Sequence, residues 1–331
     1  MEAHMKSLFN HQILEEAGKH FDVELKDLFK VGGFENFIYG YKKSEEEFIL
    51  RISHSSHRTY EELLAELDFV NYLAVHHANV SIPIVSKEKN LVEKIDIKNS
   101  YFTVSSYIKA KGERPTPEYF NENFFFNYGR TIGNFHRLAK KYHPRNSTIK
   151  RFKWDGDPLF INARSYLLDT DEIIYNRFTE LIKKLNQLPI TKENYGLIHT
   201  DIHIGNFFTK DDQLCVFDFD DCAYMWFISD IAIALFYYLD FSMRDETHEK
   251  ENAHFFMTHF MKGYLTENKL SYEDMSMMQD FLKLRELVLY IVLYRSVDME
   301  QNNFAKRYVD KYRNRIIHHV PFVELDFTQY L

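Results

Sequence analysis

Cysteine, glycine and proline are all scarce in this chain. Its two cysteines among 331 residues, Cys215 and Cys222, have no partner pairs from which a disulfide framework or zinc ribbon could be built, and a reducing cytoplasm is expected. Only 11 Gly and 7 Pro argue against long disordered or repetitive tracts. Long apolar runs are missing too: the most apolar stretches, Ile231 to Leu239 and Leu287 to Leu293, are far too short to span a bilayer. Met1 to Asn10 holds no basic region followed by an apolar run, so neither secretion nor membrane insertion is expected. Positive charge is outnumbered, 41 Lys and Arg against 49 Asp and Glu. The net charge of −8 disfavours broad attraction to nucleic acid or anionic lipid.

Aromatic residues are plentiful. With 30 Phe, 22 Tyr and 45% hydrophobic residues, the chain can fill one large or two medium cores. Apolar positions Ile13, Leu14, Ala17 and Phe21 recur at helical spacing, giving a helix over Leu8 to Phe21. Gly32-Gly33 then sits at the bend between two aromatic-rich strands, and Phe48 to Ile52 makes another. Arg58 to Ala74 reads as an amphipathic helix, followed by short strands at Ile82 to Val85, Leu91 to Ile95 and Tyr101 to Ile108. Past the polar, proline-containing Lys109 to Pro117, helical periodicity dominates: Phe120 to Tyr142, Ser165 to Leu188, Ile228 to Tyr238, Glu249 to Leu265 and Met275 to Val297. The expected class is α+β, with a small antiparallel sheet lobe over residues 1–106 and a larger, mainly helical lobe over 107–331.

The chemistry concentrates in His199-Thr200-Asp201-Ile202-His203-Ile204-Gly205-Asn206, which has the form H-x-D-x-x-x-x-N. In kinases an Asp and an Asn at this spacing share one loop. The Asp accepts the proton of the attacking hydroxyl and the Asn helps hold Mg²⁺. Asp201 and Asn206 are the candidates for those roles. A second metal-holding carboxylate is needed on the strand just downstream, and Val216-Phe217-Asp218-Phe219 supplies Asp218 after a turn at Lys210 to Gln213. Upstream, Gly32 and Gly33 let backbone N–H groups approach phosphates. Arg51 stands where a kinase carries its phosphate-binding lysine, and Glu66 on the following helix is its expected partner.

Taken together, Gly32 to Tyr39, Ile49 to Ile52, Glu66, Gly129 to His136, the His199 to Asn206 loop and Asp218 resemble the aminoglycoside phosphotransferase and choline kinase family, which has a two-lobed protein-kinase-like fold. Asp218 to Asp221 followed by Trp226-Phe227 and Asp230-Ile231-Ala232 is most similar to the homoserine kinase type II and stress-response kinase branch. The resemblance implies ATP and Mg²⁺ as cofactors, bound in the cleft between the lobes. It also implies adenine contacts from the backbone near Ser106 and Ile108, and a bracing role for Asp230. Thr200 departs from the family's usual Gly, and Ile204 from its common Pro.

Several readings compete with these. Asp201 and Asn206 are residue types that also serve in plain turns; His199-x-Asp201-x-His203 resembles a metal-hydrolase cluster but leaves Asn206 and the glycine lobe unexplained. Asp220 and Asp221 divide evenly between contacts, either behind the metal-holding residues or to a substrate amine, and capping of the turn after the strand. Trp226, Tyr237, Tyr238, Tyr290 and Tyr294 pack the helical core or line an acceptor pocket. The expected activity is transfer of the γ-phosphate of ATP to a hydroxyl of a small molecule, an amine or amino acid among the candidates. A Ser/Thr protein kinase and a non-catalytic nucleotide-binding protein are the rivals. No nucleic-acid or membrane partner is expected, and the sequence carries no signal for oligomeric state.

Overall fold

The computed structural model describes every residue except 1, 2, 34, 244 and 245, so Met1, named above, and Phe34, within the Gly32 to Tyr39 segment, lie outside the described residues. Two compact units divide the chain. The first comprises Met1–Lys111, Tyr142–Arg151 and Cys215–Asp220, the second Gly112–Lys141, Phe152–Leu214 and Asp221–Leu331.

The first unit opens with two helices, α1 (Ala3–Leu8) and α2 (His11–Lys19), where the sequence suggested one. Asn10 makes the break: its side-chain oxygen accepts the N–H groups of Gln12 and Ile13, which starts a new helix. Strands β1 (Phe29–Gly32), β2 (Phe37–Lys43) and β3 (Glu46–His54) follow, then α3 (Tyr60–Val75), β4 (Pro83–Ile84), β5 (Glu93–Ile97) and β6 (Ser100–Ile108). The sheet is antiparallel in the order β1-β2-β3-β6-β4, with β5 also paired to β6. Period-two alternation sends Leu50, Ile52, Phe102 and Val104 to one face, where they pack with Ile13, Leu14, Ala17 and Phe21 of the α2 region. Each such side chain contributes about 1.5–3 kcal/mol when fully buried. A capping box begins α3: the Thr59 hydroxyl accepts the Glu62 N–H, and the Glu62 carboxylate accepts the Thr59 N–H.

Specific polar bonds bring the remote segments into this unit. Tyr142 donates its hydroxyl, and Arg145 its N–H, to Asp68; Arg151 donates to the Glu62 carbonyl. Val216 exchanges backbone bonds with Asn79 and Ser81. No local pattern in the sequence marks these returns, because both partners are ordinary surface-type residues until the chain brings them together.

The second unit is mainly helical: α4 (Glu122–Ala139), α5 (Pro158–Ile161), α6 (Ala163–Tyr166), α7 (Glu172–Leu185), and, after four short strands, α8 (Ile228–Tyr237), α9 (Glu249–Tyr264), α10 (Tyr272–Ser276), α11 (Met278–Ser296) and α12 (Asn303–Ile317). The strands are β7 (Tyr195–Ile198), β8 (Phe207–Lys210), β9 (Gln213–Val216) and β10 (Ala223–Trp226), paired as β7 with β10 and β8 with β9. The continuous helix expected over Ser165 to Leu188 is interrupted by a 3₁₀ turn at Asp169–Asp171, where aspartates favour local turn bonds. Helix α12 escaped the periodicity reading because charged residues dominate it, although Tyr308, Tyr312 and Ile316 recur every fourth position and are buried. Helices α4 and α9 cross closely at a glycine: a Cβ on Gly129 would lie 1.9 Å from the Phe260 carbonyl oxygen. Among the described residues, no helix is long and apolar enough to cross a membrane.

Candidate active site

In the first unit, Arg51 and Glu66 form a buried ion pair. Arg51 lies on β3 pointing away from the α2 core, Glu66 lies on the sheet-facing side of α3, and Nη2 of Arg51 donates to both carboxylate oxygens at 2.8 Å. The Tyr107 ring lies 5.3 Å from the guanidinium carbon. Burial alone would disfavour the arginine's charge, but Glu66 outweighs it and holds the guanidinium protonated.

The glycine turn has one position that admits nothing else. Gly33 sits at φ +123°, and a Cβ there would come within 1.8 Å of the Asn36 carbonyl oxygen, whereas one on Gly32 would meet nothing within 4 Å. Asn36 is buried and accepts a hydrogen bond from Ser53 at 2.5 Å, which ties the turn back to β3.

Ser106 and Ile108 stand on β6. The Ser106 hydroxyl donates to the Ile49 carbonyl at 3.1 Å, so the 2.7 Å bond to Tyr41 is donated by the phenol. The Ile108 N–H is spent on the Ile82 carbonyl, and the Ile108 carbonyl accepts the Ser81 hydroxyl at 2.6 Å with a second lone pair remaining.

Asp218 and Asp220 have opposite environments although only Phe219 separates them. Asp218 is exposed and adopts φ +64°, a left-handed conformation that Asp tolerates better than most residues. Asp220 is buried within a cationic cage that the sequence did not reveal. His57 Nε2 is 2.6 Å from its carboxylate, Arg58 Nε 3.7 Å and Arg51 Nη1 3.8 Å, while Arg151 donates to its main-chain carbonyl at 2.7 Å. Burial pushes the Asp220 carboxyl up, but His57 and the two arginines beside the carboxylate prevail and hold it well below the usual carboxylate range. His57 also reaches Glu35, in the glycine turn, at 3.5 Å. The Asp220 carboxylate thereby gathers Arg51, His57 and Arg58 around one buried anion.

In the second unit, the His199 to Asn206 loop is braced by one carboxylate. Asp230, at the start of α8, accepts the N–H of Thr200 at 2.8 Å, the N–H of His199 at 3.2 Å and His136 Nε2 at 3.2 Å. Thr200 explains the departure from the family's glycine. Its φ is +60°, costly for a β-branched residue, and the Asp230 bond together with a 2.6 Å bond from its hydroxyl to the Asp221 carbonyl holds it there.

Within that loop the structure brings Asp201 and Asn206 together. Asn206 Nδ2 donates to both the Asp201 carbonyl and its Oδ2 at 3.0 Å. Both amide hydrogens are thereby used, which leaves Oδ1, a hard oxygen suited to Mg²⁺. The Asp201 Oδ1 accepts from Arg285 of α11, whose Nη2 also donates to the Tyr237 hydroxyl. His203 Nε2 lies 3.5 Å from Asp201 Oδ2 and its ring packs on Tyr237 at 4.3 Å. Burial would raise the Asp201 pKa, but Arg285 and then His203 outweigh it and keep the carboxyl well below its ordinary value. His199 accepts the Asp201 N–H at 3.3 Å, a structural role. No sequence signal pointed to Arg285, which is 84 residues from Asp201.

The first unit thus holds a buried Arg51–Glu66 pair and an exposed Asp218, and the second holds Asp201 bonded to Asn206 on a braced loop. Residues 31–264 match the phosphotransferase enzyme family. Amicoumacin kinase of Bacillus subtilis (strain 168) is 30% identical over 327 residues, which is 98% of this chain and 97% of that protein. Among solved structures, amicoumacin kinase hAmiN in complex with AMP-PNP, Ca²⁺ and Ami aligns over 100% of both chains with a TM-score of 0.94 and 30% identity. A microcompartment-associated aminopropanol kinase aligns over 93% of this chain and 98% of its own with a TM-score of 0.72; at 21% identity it bears on the fold alone. The chain belongs to the phosphotransferase enzyme family, with the α+β kinase-like fold and the small-molecule kinase activity expected from its sequence.

Proposed function

We propose that this enzyme transfers the γ-phosphate of ATP, with Mg²⁺, to a hydroxyl group of amicoumacin or a closely similar small molecule. The observation that carries the acceptor is similarity to amicoumacin kinase along the whole chain rather than over the nucleotide-binding part alone. The observation that carries the chemistry is the Asp201 carboxylate, held anionic and shared with Asn206 on a braced loop.

In this reading residues 1–106 bind the nucleotide and residues 107–331 supply acceptor binding and catalysis. The Gly32 and Gly33 turn covers the phosphates, Arg51 steadied by Glu66 pairs with them, and the backbone near Ser106 and Ile108 receives the adenine, Ile108 through its carbonyl. The exposed carboxylate of Asp218 and the Oδ1 of Asn206 are hard oxygen donors, which fits them to hold magnesium. When bound, the metal neutralises charge on the transferring phosphoryl group. Asp201 orients the acceptor hydroxyl and takes up its proton as the bond to phosphorus forms. The buried thiols of Cys215 and Cys222 suit action in a reducing cytoplasm.

The test is ADP release by the purified chain with Mg-ATP and a panel of amicoumacin, amino alcohols, aminoglycosides and protein extract, each product identified by mass. Amicoumacin gaining one phosphate, with the activity abolished by Asp201→Ala and nucleotide binding retained, is the expected result. Transfer to protein alone, or an unimpaired Asp201→Ala enzyme, would overturn the proposal.

A further inference from the structure

The least expected contact in the second unit is the one between Arg285 and the carboxylate that the reaction uses. We infer that Arg285 is a positioning residue for phosphoryl transfer: by binding Oδ1 of Asp201 while Asn206 binds Oδ2, it fixes the rotation of that carboxylate toward the acceptor hydroxyl. The inference rests on the assignment of Asp201 as the group that orients the acceptor.

A carboxylate held at one oxygen only can turn about its Cβ–Cγ bond, and the direction of its remaining lone pairs turns with it. Here each oxygen has its own donor from a different element: Asn206 from the loop itself and Arg285 from α11. Arg285 is in turn prevented from swinging away. Its guanidinium carbon lies 4.8 Å from the Tyr237 ring centroid, and its Nη2 bonds the Tyr237 hydroxyl as well as Asp201. Tyr237 also has His203 on its ring, and His203 faces Asp201 Oδ2, so Tyr237 of α8 backs both the arginine and the histidine that reach the carboxylate.

A purely structural ion pair would explain the contact if the loop needed it. The loop backbone is already fastened without Arg285, by Asp230 at the N–H groups of His199 and Thr200 and by Thr200 at the Asp221 carbonyl. What Arg285 adds is therefore specific to the Asp201 side chain. In the loose transition state of phosphoryl transfer, orienting the nucleophile matters more than removing its proton early, so a carboxylate fixed in rotation is what the reaction uses.

Arg285→Gln and Arg285→Lys, each alone and combined with Asp201→Asn, test the inference by steady-state kinetics with the acceptor that supports turnover. Uncoupled ATP hydrolysis, in which water replaces the acceptor, gives the same comparison without one. Arg285→Gln is expected to lower kcat by roughly 10–100-fold, leave KM for Mg-ATP within about twofold, and melt near the wild type. Arg285→Lys should restore part of kcat through its point charge, and Arg285→Gln should cost nothing further in the Asp201→Asn background. An unchanged kcat in Arg285→Gln, or a full additional loss on top of Asp201→Asn, overturns the inference. A wild-type enzyme inactive on every acceptor but sensitive to Arg285→Gln in ATP hydrolysis would count against the proposed acceptor, not against Arg285.

Discussion

Removing the Glu66 carboxylate is the perturbation whose consequences the structure specifies most fully. In Glu66→Ala the Arg51 guanidinium, 4% exposed, loses both 2.8 Å bonds, and the nearest remaining anion is Asp220 at 3.8 Å, already shared with His57 and Arg58. Stranding one member of a buried pair costs about 3–5 kcal/mol, and the residual attraction of Asp220 places this case toward the lower end, about 3 kcal/mol. In a unit of this size each kcal/mol lowers Tm by roughly 2–8 °C, so a drop of at least about 6 °C is expected in thermal denaturation. A second variant separates stability from function. Replacing the pair together, Arg51→Met with Glu66→Leu, removes both charges and is expected to be nearly neutral in Tm while raising KM for Mg-ATP at least about tenfold, the equivalent of one lost charge-assisted bond. The reasoning is refuted if Glu66→Ala loses under about 1 kcal/mol, or if the apolar double variant keeps the wild-type KM.

Three other expectations are independent of that pair. Gly129→Ala places a Cβ 1.9 Å from the Phe260 carbonyl oxygen and must part α4 from α9; urea denaturation should show a loss of about 1–3 kcal/mol, and an unchanged midpoint would mean the crossing yields freely. Asp218→Ala should abolish the extra thermal stabilisation that Mg²⁺ adds to ATP, about 2.7 kcal/mol at a hundredfold excess over Kd; an intact metal-dependent shift would remove Asp218 from the metal site. His136 is fully buried between Tyr264 and Asp230, and burial holds its pKa below the ordinary 6.5, prevailing over the Asp230 bond. The fold therefore keeps the imidazole neutral, and the unfolded chain takes up the proton first. Stability from this group is full above pH 6.5 and is lost as pH falls toward the folded pKa. His136→Gln should flatten the fall of Tm between pH 7 and 5, measured at constant ionic strength, whereas parallel curves would refute the assignment.

The sequence by itself determined whatever depends on short-range spacing. The alternation around Arg51, the helical placement of Glu66, and the five-residue interval from Asp201 to Asn206 each put a side chain on a definite face or loop, because strand and helix periods are fixed by backbone geometry. Gly33 and Thr200 were visible as positions of note, but their positive φ angles were not, and those angles explain why glycine is required at one and why threonine at the other needs Asp230 and Asp221. Tertiary structure alone decided which distant charges meet. Arg285 reaches Asp201, Arg151 reaches the Asp220 carbonyl, and His57 bridges Glu35 and Asp220, at separations of tens to more than a hundred residues. Surface-type residues such as these carry no periodic signature. Their pairing is set by how helices and sheet pack, and only burial turns an ordinary charge into one that must find its partner.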